Sequence, residues 1–229
     1  MTDAVYLVFD AETGGTSVHE DRIVQWFMAT ADKDGNLLDT WQWFIDPGVP
    51  IAEEAIAVHG LTNEWLDENG QDPKEALNEV RLIFLENIDL IHVAFNMNFD
   101  LSILDAEFKR HGVTEAFGHY MRDNARLVDA IVIDRHEDKW RKGKRTLAAQ
   151  AEHYGVPFDP DNLHDASVDV ELTAKVTVKV LEKFGVPTTE EQSSWYYSWS
   201  EGLEEYLRRS DPEARVDREW PLKKKPGGL

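Results

Sequence analysis

Apolar residues gather in short runs in the first fifth of the chain and in helical periods further on. Val5 to Phe9 is a short apolar run. Ile23–Thr30 and Leu37–Phe44 follow it, rich in strand-forming residues and separated by Asp32–Asn36 with the turn pair Asp34-Gly35. This pattern predicts three consecutive strands, the last two a hairpin or meander. Ala52–His59 reads as a short helix stopped by Gly60. Pro73–Asn87 places Ala76, Leu77, Val80, Ile83 and Phe84 at a 3.6-type spacing, which predicts a second helix. A strand at Leu90–Phe95 is expected to lead into a helix around Leu101–His111. Val128–Ile133 reads as a further strand, Thr146–Tyr154 as a helix ended by Gly155, and Val168–Phe184 as a long helix ended by Gly185. A strand meander followed by alternating strands and helices indicates a layered α/β domain.

Beyond Gly185-Val186-Pro187 the pattern changes. Trp195, Tyr196, Trp199, Leu203, Tyr206 and Leu207 recur at helical spacing in a polar stretch, which predicts an amphipathic helix from about Glu190 to Arg209. Leu222–Leu229 is basic and rich in Gly and Pro, the composition of a mobile end. The chain is accordingly expected to divide into a domain over 1–185 and a helical tail over 186–229.

With 229 residues, 42% of them hydrophobic, the chain has material for one substantial core. No apolar run is long enough to span a bilayer and the first residues lack the form of a signal peptide, so no membrane association and a cytoplasmic location are expected. There is no cysteine, so any metal must be held by oxygen and imidazole, which favours hard divalent cations such as magnesium or manganese. The net charge of −20 argues against broad electrostatic gripping of a polyanion. It is compatible with an enzyme that holds only a chain end, where bound divalent ions are the largest local charges.

Three segments carry candidate chemistry. FDAETGG (Phe9–Gly15) sets Asp10 and Glu12 two apart at a strand end, on one face, where adjacent carboxylates are unfavourable unless a cation joins them. AFNMNFDLSIL (Ala94–Leu104) has Asn96 and Asp100 where a strand turns into a helix, and Asp100 taken alone reads equally well as a helix cap. HDASVDVELT (His164–Thr173) sets His164 five residues before Asp169 at the opening of a long helix, where an acid also suits the dipole. Asp159, Asp161 and Glu171 do not make a calcium loop, since the central glycine and regular oxygen positions are missing.

Four carboxylates and one imidazole in this order resemble the DEDDh exonucleases, the DnaQ-like family whose type is the proofreading subunit of bacterial DNA polymerase III. The resemblance runs from about Ala4 to Phe184 and includes AIAVHGLT (Ala55–Thr62), similar to the family's segment beside the terminal nucleotide. It implies a ribonuclease-H-like α/β fold, with a central mixed five-stranded sheet flanked by helices, plus here the C-terminal helical tail. It also implies a 3′–5′ exonuclease that releases nucleoside monophosphates from single-stranded 3′ ends, DNA preferred, with two Mg2+ (or Mn2+) ions. Asp10 would bridge both ions, Glu12 and Asp169 would complete the one nearest the water, and Asp100 would hold the second. His164 would accept the proton of the attacking water, a task suited to an unperturbed pKa of about 6.5. Thr13, Gly14, His59, Leu61, Asn96 and Phe99 are the implied substrate-binding positions. Gly14 stands where many members have threonine, and Phe95 where many have histidine.

The rival readings are an RNA exonuclease of the oligoribonuclease or ribonuclease T kind, since the metal chemistry does not depend on the sugar, and a non-catalytic accessory subunit that keeps the fold. The complete set of five catalytic-type residues disfavours the second. A proofreading role would require a partner protein such as a DNA polymerase, with the Trp195 helix as the candidate contact. KWRKGKR (Lys139–Arg145), with five basic residues in seven, is either a guide for phosphates or a solvated loop.

Overall fold

The computed structural model describes residues 3–114, 117–160 and 166–224. Its sheet is built from β1 (Tyr6–Thr13), β2 (Ile23–Ala31), β3 (Leu37–Phe44), β4 (Ile91–Val93) and β5 (Arg126–Val128), in the order β3-β2-β1-β4-β5. The first three strands form an antiparallel meander, and β4 and β5 add parallel to β1. The meander closes at the predicted turn. Asp32 accepts hydrogen bonds from the backbone of Asp34 and Asn36, and Gly35 supplies the positive φ of 81° that the turn needs.

Helices cover both faces. Leu7, Phe9, Trp26 and Met28 point into a core shared with α3 (Pro73–Glu86) and α4 (Met97–Arg110). Tyr6, Val8, Phe27 and Ala29 point the other way, against α8 (Ala166–Phe184). All nine residues of β2 are therefore buried, which explains why its sequence is mostly apolar rather than alternating, with Gln25 and Thr30 its polar members. Phe9 stacks on Trp26 at 5.6 Å and meets Phe84 edge-on at 5.1 Å, pairs that add about 0.5–1.5 kcal/mol each beyond area burial. The remaining helices are α1 (Glu53–His59), α2 (Asn63–Asn69), α5 (Phe117–Asn124), α6 (Ala130–Glu137), α7 (Leu147–Tyr154) and α9 (Thr189–Leu207). No helix among the described residues is long and apolar enough to cross a membrane.

Two expectations need correction. The apolar run Val128–Ile133 is not one strand. β5 ends at Val128, Asp129 turns the chain and caps α6 by accepting from the Ile131 N–H at 3.1 Å, and Ile131 and Ile133 are buried helical residues. A six-residue apolar run has no periodicity that separates the two states, and the cap in its middle decided the matter. The start of the basic end, expected to be mobile, is packed. Leu222 lies against the core beside a buried Trp220, and the Lys223 N–H donates to Ser102 Oγ at 2.7 Å. Residues 225–229 fall outside the described part.

The predicted tail helix exists as α9, opened by a Thr188/Glu191 capping box. It docks through a row that is largely polar: Gln192, Tyr196, Ser200 and Glu204 are buried, whereas Tyr206 and Leu207 are exposed. The fully buried Gln192 accepts from the Asp129 N–H at 2.9 Å and donates to the Leu127 carbonyl at 2.6 Å, so it satisfies backbone groups at the edge strand β5. Trp195 stacks on His136 at 4.2 Å, and the Arg135 guanidinium lies 3.8 Å above Trp199.

Candidate active site

Strand parity places the first two carboxylates. Tyr6 and Val8 face α8, so Asp10 and Glu12 continue that face beyond the point where the core ends. The pairing of β4 with β1 covers only Tyr6–Val8, so Phe9–Thr13 extend past β4 as the rim of a cleft. Asp169 is in the first turn of α8, which packs along β1. Asp10, Glu12 and Asp169 each bring an oxygen to within 4.8 Å of the others, all three partly buried.

Asp100 arrives from α4, and the start of that helix is held by a residue the motifs did not include. Asn96 sits at φ 65°, a left-handed conformation that asparagine tolerates better than most residues. It turns the chain sharply out of β4 into α4. The buried Asp129 carboxylate accepts from the N–H groups of Asn96 (3.2 Å) and Met97 (2.9 Å) as well as from Ile131, so it fixes the first turns of both α4 and α6. Asp129, not Asp100, therefore does the capping. Asp100 is free of that duty and is almost fully buried beside Asp10.

Burial pushes the Asp10 carboxyl well above the usual range, reinforced by Asp100, Glu12 and Asp169. Asp100 is raised as well, first by burial, with Asp129 and Glu12 adding to it. The Ala11 backbone N–H pulls both down but does not cancel the rise. A hard divalent cation would offset the mutual repulsion of carboxylates crowded together in this way. The donor set is all oxygen and fits such ions.

Of the residues expected at the substrate, Thr13, Gly14 and His59 lie together at the end of β1. Thr13 Oγ1 donates to the Gly15 carbonyl at 2.7 Å. His59 lies beside the Thr13 backbone, and its Nδ1 accepts from the Leu61 N–H at 3.1 Å, which joins the end of α1 to β1. Leu61 packs with Val24, Ile51 and Leu66, and Phe99 is partly buried on α4. Ile51 occupies the space a side chain at Gly14 would need: a Cβ there would lie 2.6 Å from Ile51 Cγ2. The glycine at position 14 thus leaves Ile51 its place. His164 lies outside the described residues.

The model of the RNase_T exonuclease family matches residues 7–177, most of the chain and every described carboxylate of the cleft. The chain belongs to this DnaQ-like 3′–5′ exonuclease family. It is 28% identical over 185 residues to the DNA polymerase III PolC-type of Pediococcus pentosaceus, a match covering 79% of this chain but only 12% of that protein. In three dimensions it is similar to E. coli exonuclease I in complex with a dA16 oligonucleotide, with a TM-score of 0.68 at 18% identity over 85% of this chain and 44% of the other. Exonuclease X in complex with 5′ overhanging duplex DNA gives a TM-score of 0.56 at 18% identity, over 83% and 99%. The mixed sheet and its flanking helices are thus the ribonuclease-H-like fold of the DnaQ-like family, and membership implies dependence on divalent metal.

The basic loop of this exonuclease-family chain is partly structural. Arg141 and Arg145 turn inward onto Asp134, which is fully buried and also accepts from Tyr154 Oη at 2.7 Å. Burial alone would raise the Asp134 carboxyl, but the hydrogen bonds from Tyr154, Arg141 and Arg145 outweigh it and hold it below its ordinary value. Asp134, Asp138 and His153 could be read as a second metal site. Both arginines already neutralise Asp134, so it needs no cation. Replacing Asp134 by alanine strands two mostly buried guanidiniums, and breaking a buried pair costs about 3–5 kcal/mol. Both arginines keep some solvent contact, so the low end, about 3 kcal/mol, is expected. Denaturant melts of the two proteins measure it, and a loss below about 1 kcal/mol, the worth of an exposed pair, would refute the structural role.

Proposed function

We propose that this chain hydrolyses single-stranded DNA from its 3′ end, using two divalent ions and His164 as the proton acceptor. The observation that carries this reading is the convergence of Asp10 and Glu12 from β1, Asp100 from α4 and Asp169 from α8 on one partly buried cleft. The preference for DNA is supported by the likeness to a DNA polymerase and to exonucleases complexed with DNA.

In each turn the oxygen of a water bonds to the terminal phosphorus and the bond to the penultimate 3′ oxygen breaks. A nucleoside 5′-monophosphate leaves, and the departing 3′ oxygen takes a proton from solvent, so the shortened strand ends in a 3′ hydroxyl. The ions supply Lewis acidity and relief of charge on the phosphate. Asp10 would be the central ligand, with Glu12 and Asp169 holding one ion and Asp100 serving the other. His164 takes up the proton that the water loses. Thr13, Gly14 and His59 line the side of the cleft at the end of β1, with Leu61 and Phe99 flanking the terminal base and Asn96 shaping the turn that carries Phe99.

The test is a set of 5′-labelled oligonucleotides, single-stranded DNA, duplex DNA and RNA, each incubated with magnesium, with manganese and with a chelator. Single-stranded DNA is expected to shorten in single-nucleotide steps from the 3′ end, and to stay intact with the chelator. Faster loss of RNA than of DNA would transfer the substrate to RNA, and intact strands with both metals would remove the nuclease reading.

A further inference from the structure

The C-terminal segment returns across the molecule to the cleft. The Glu219 carbonyl accepts from Asn98 Nδ2 at 2.8 Å, the Trp220 carbonyl accepts from Ser193 Oγ at 3.0 Å, and the Lys223 N–H donates to Ser102 Oγ. Asn98 and Ser102 bracket Asp100 on α4, so the segment runs along the helix that carries a cleft carboxylate. Leu222 packs against the core and seals the space beside Gly118, where an added Cβ would lie 2.5 Å from Leu222 Cδ1. Beyond it, the Lys224 carbonyl faces His19 Nε2 at 3.4 Å, in the loop that follows β1. The strap is thus tied to α4, to α9 and to the loop on the far side.

These ties set Lys223 at the cleft. Its ammonium lies 5.4 Å above the Phe99 ring, next in sequence to Asp100 and close enough to feel that carboxylate. The side chain is half-buried, and the carboxylates that act on it are Asp217 and the cleft's Asp100. A cation held there, over the ring expected to meet the terminal base, is placed for a phosphate of the same strand.

We propose that Lys223, delivered by the C-terminal strap, is a substrate-binding residue that contacts a phosphate near the 3′ end of the bound strand. The assignment rests on the nuclease reading above. Like-charge crowding among the carboxylates repels the incoming phosphate, and an ammonium at the rim offsets that repulsion where the strand enters. Its geometric support comes from the strap's hydrogen bonds, and its chemistry from a point charge with three rotatable donors.

The variant K223M keeps the methylene stem on Phe99 and removes only the charge. With single-stranded DNA and saturating magnesium, K223M is expected to raise KM about tenfold to a hundredfold, the usual worth of a hydrogen bond to a charged group, while kcat changes far less. K223R should recover most of the loss. In an uncleaving D10N background, anisotropy of a fluorescent oligonucleotide at increasing salt should show the slope of log affinity against log salt shallower by about 0.7 for K223M, one phosphate contact on a single strand. An unchanged KM and salt slope in K223M overturn the assignment, as does a lowered melting temperature with an unchanged slope, which would make Lys223 structural only. If the unsubstituted protein neither cleaves nor binds the oligonucleotide, the nuclease reading fails and this assignment goes with it.

Discussion

Asp10→Asn is expected to abolish turnover while making the metal-free protein more stable. The loss follows from its proposed central place among the metal ligands. Removing several kcal/mol of transition-state stabilisation at 1.36 kcal/mol per decade lowers kcat by about 10³–10⁵-fold. The gain in stability follows from the crowding. Burial, then Asp100, Glu12 and Asp169, raise the Asp10 carboxyl above its unfolded value. A carboxyl whose folded pKa is raised favours the fold at low pH, and that contribution is lost as pH rises from the unfolded pKa through the folded one. At neutral pH an ionised Asp10 therefore weighs against the metal-free fold, and an amide does not. A gain of about 1 kcal/mol corresponds to a rise in Tm of roughly 2–4 °C for a chain of this size. Calorimetry with a chelator at pH 7.5 and at pH 4 reads both parts, because the difference between the two proteins should shrink at the lower pH. Activity within tenfold of wild type sinks the ligand assignment, and a lower metal-free Tm sinks the account of the crowding.

Replacing His164 by alanine should lower kcat by roughly 10²–10⁴-fold, the ordinary contribution of a positioned proton acceptor. The four carboxylates remain, so the magnesium dependence of the residual rate should keep its midpoint. His164 stands five residues before Asp169, two before the first residue of α8, and its role as base is the one proposed above. As pH falls the imidazole is protonated and can no longer take up a proton, so the wild-type rate should drop on the acid side. The alanine variant should lose that limb of the profile. Single-turnover rates at saturating magnesium from pH 6 to 9 test both statements. A variant as fast as wild type would leave His164 a bystander and reopen the subfamily to a different base.

Strand parity, helical period and the order of three acidic segments are local properties, and they were readable from residue spacing. The meander, the turn at Asp34-Gly35, the capped helix at Thr146 and the long α8 all follow from such signals. Asp10 and Glu12 share a face because a strand repeats every two residues, whatever surrounds it. The apolar run around Val128 was not readable in the same way, since six residues fit a strand or a helix turn equally well until Asp129 chooses between them.

Tertiary structure alone decided which acids do what. Asp129 and Asp100 each stand where a strand gives way to a helix in the structure, although the apolar pattern put Asp129 inside a strand. Only the packing of β5 beside β4 aims Asp129 at the Asn96 and Met97 amides and leaves Asp100 facing Asp10. The basic loop behaves likewise: Arg141 and Arg145 turn inward because Asp134 is buried and must be paired, a demand invisible to composition. Lys223 is the farthest case. A basic tail in an acidic chain signals only mobility and charge, whereas its seat over Phe99 depends on hydrogen bonds to Asn98 and Ser102, some 121 residues away in the chain. Local rules act over a few residues and fix the elements, but a site assembled from contacts between distant segments is settled by burial, which forces each polar group to find its partner.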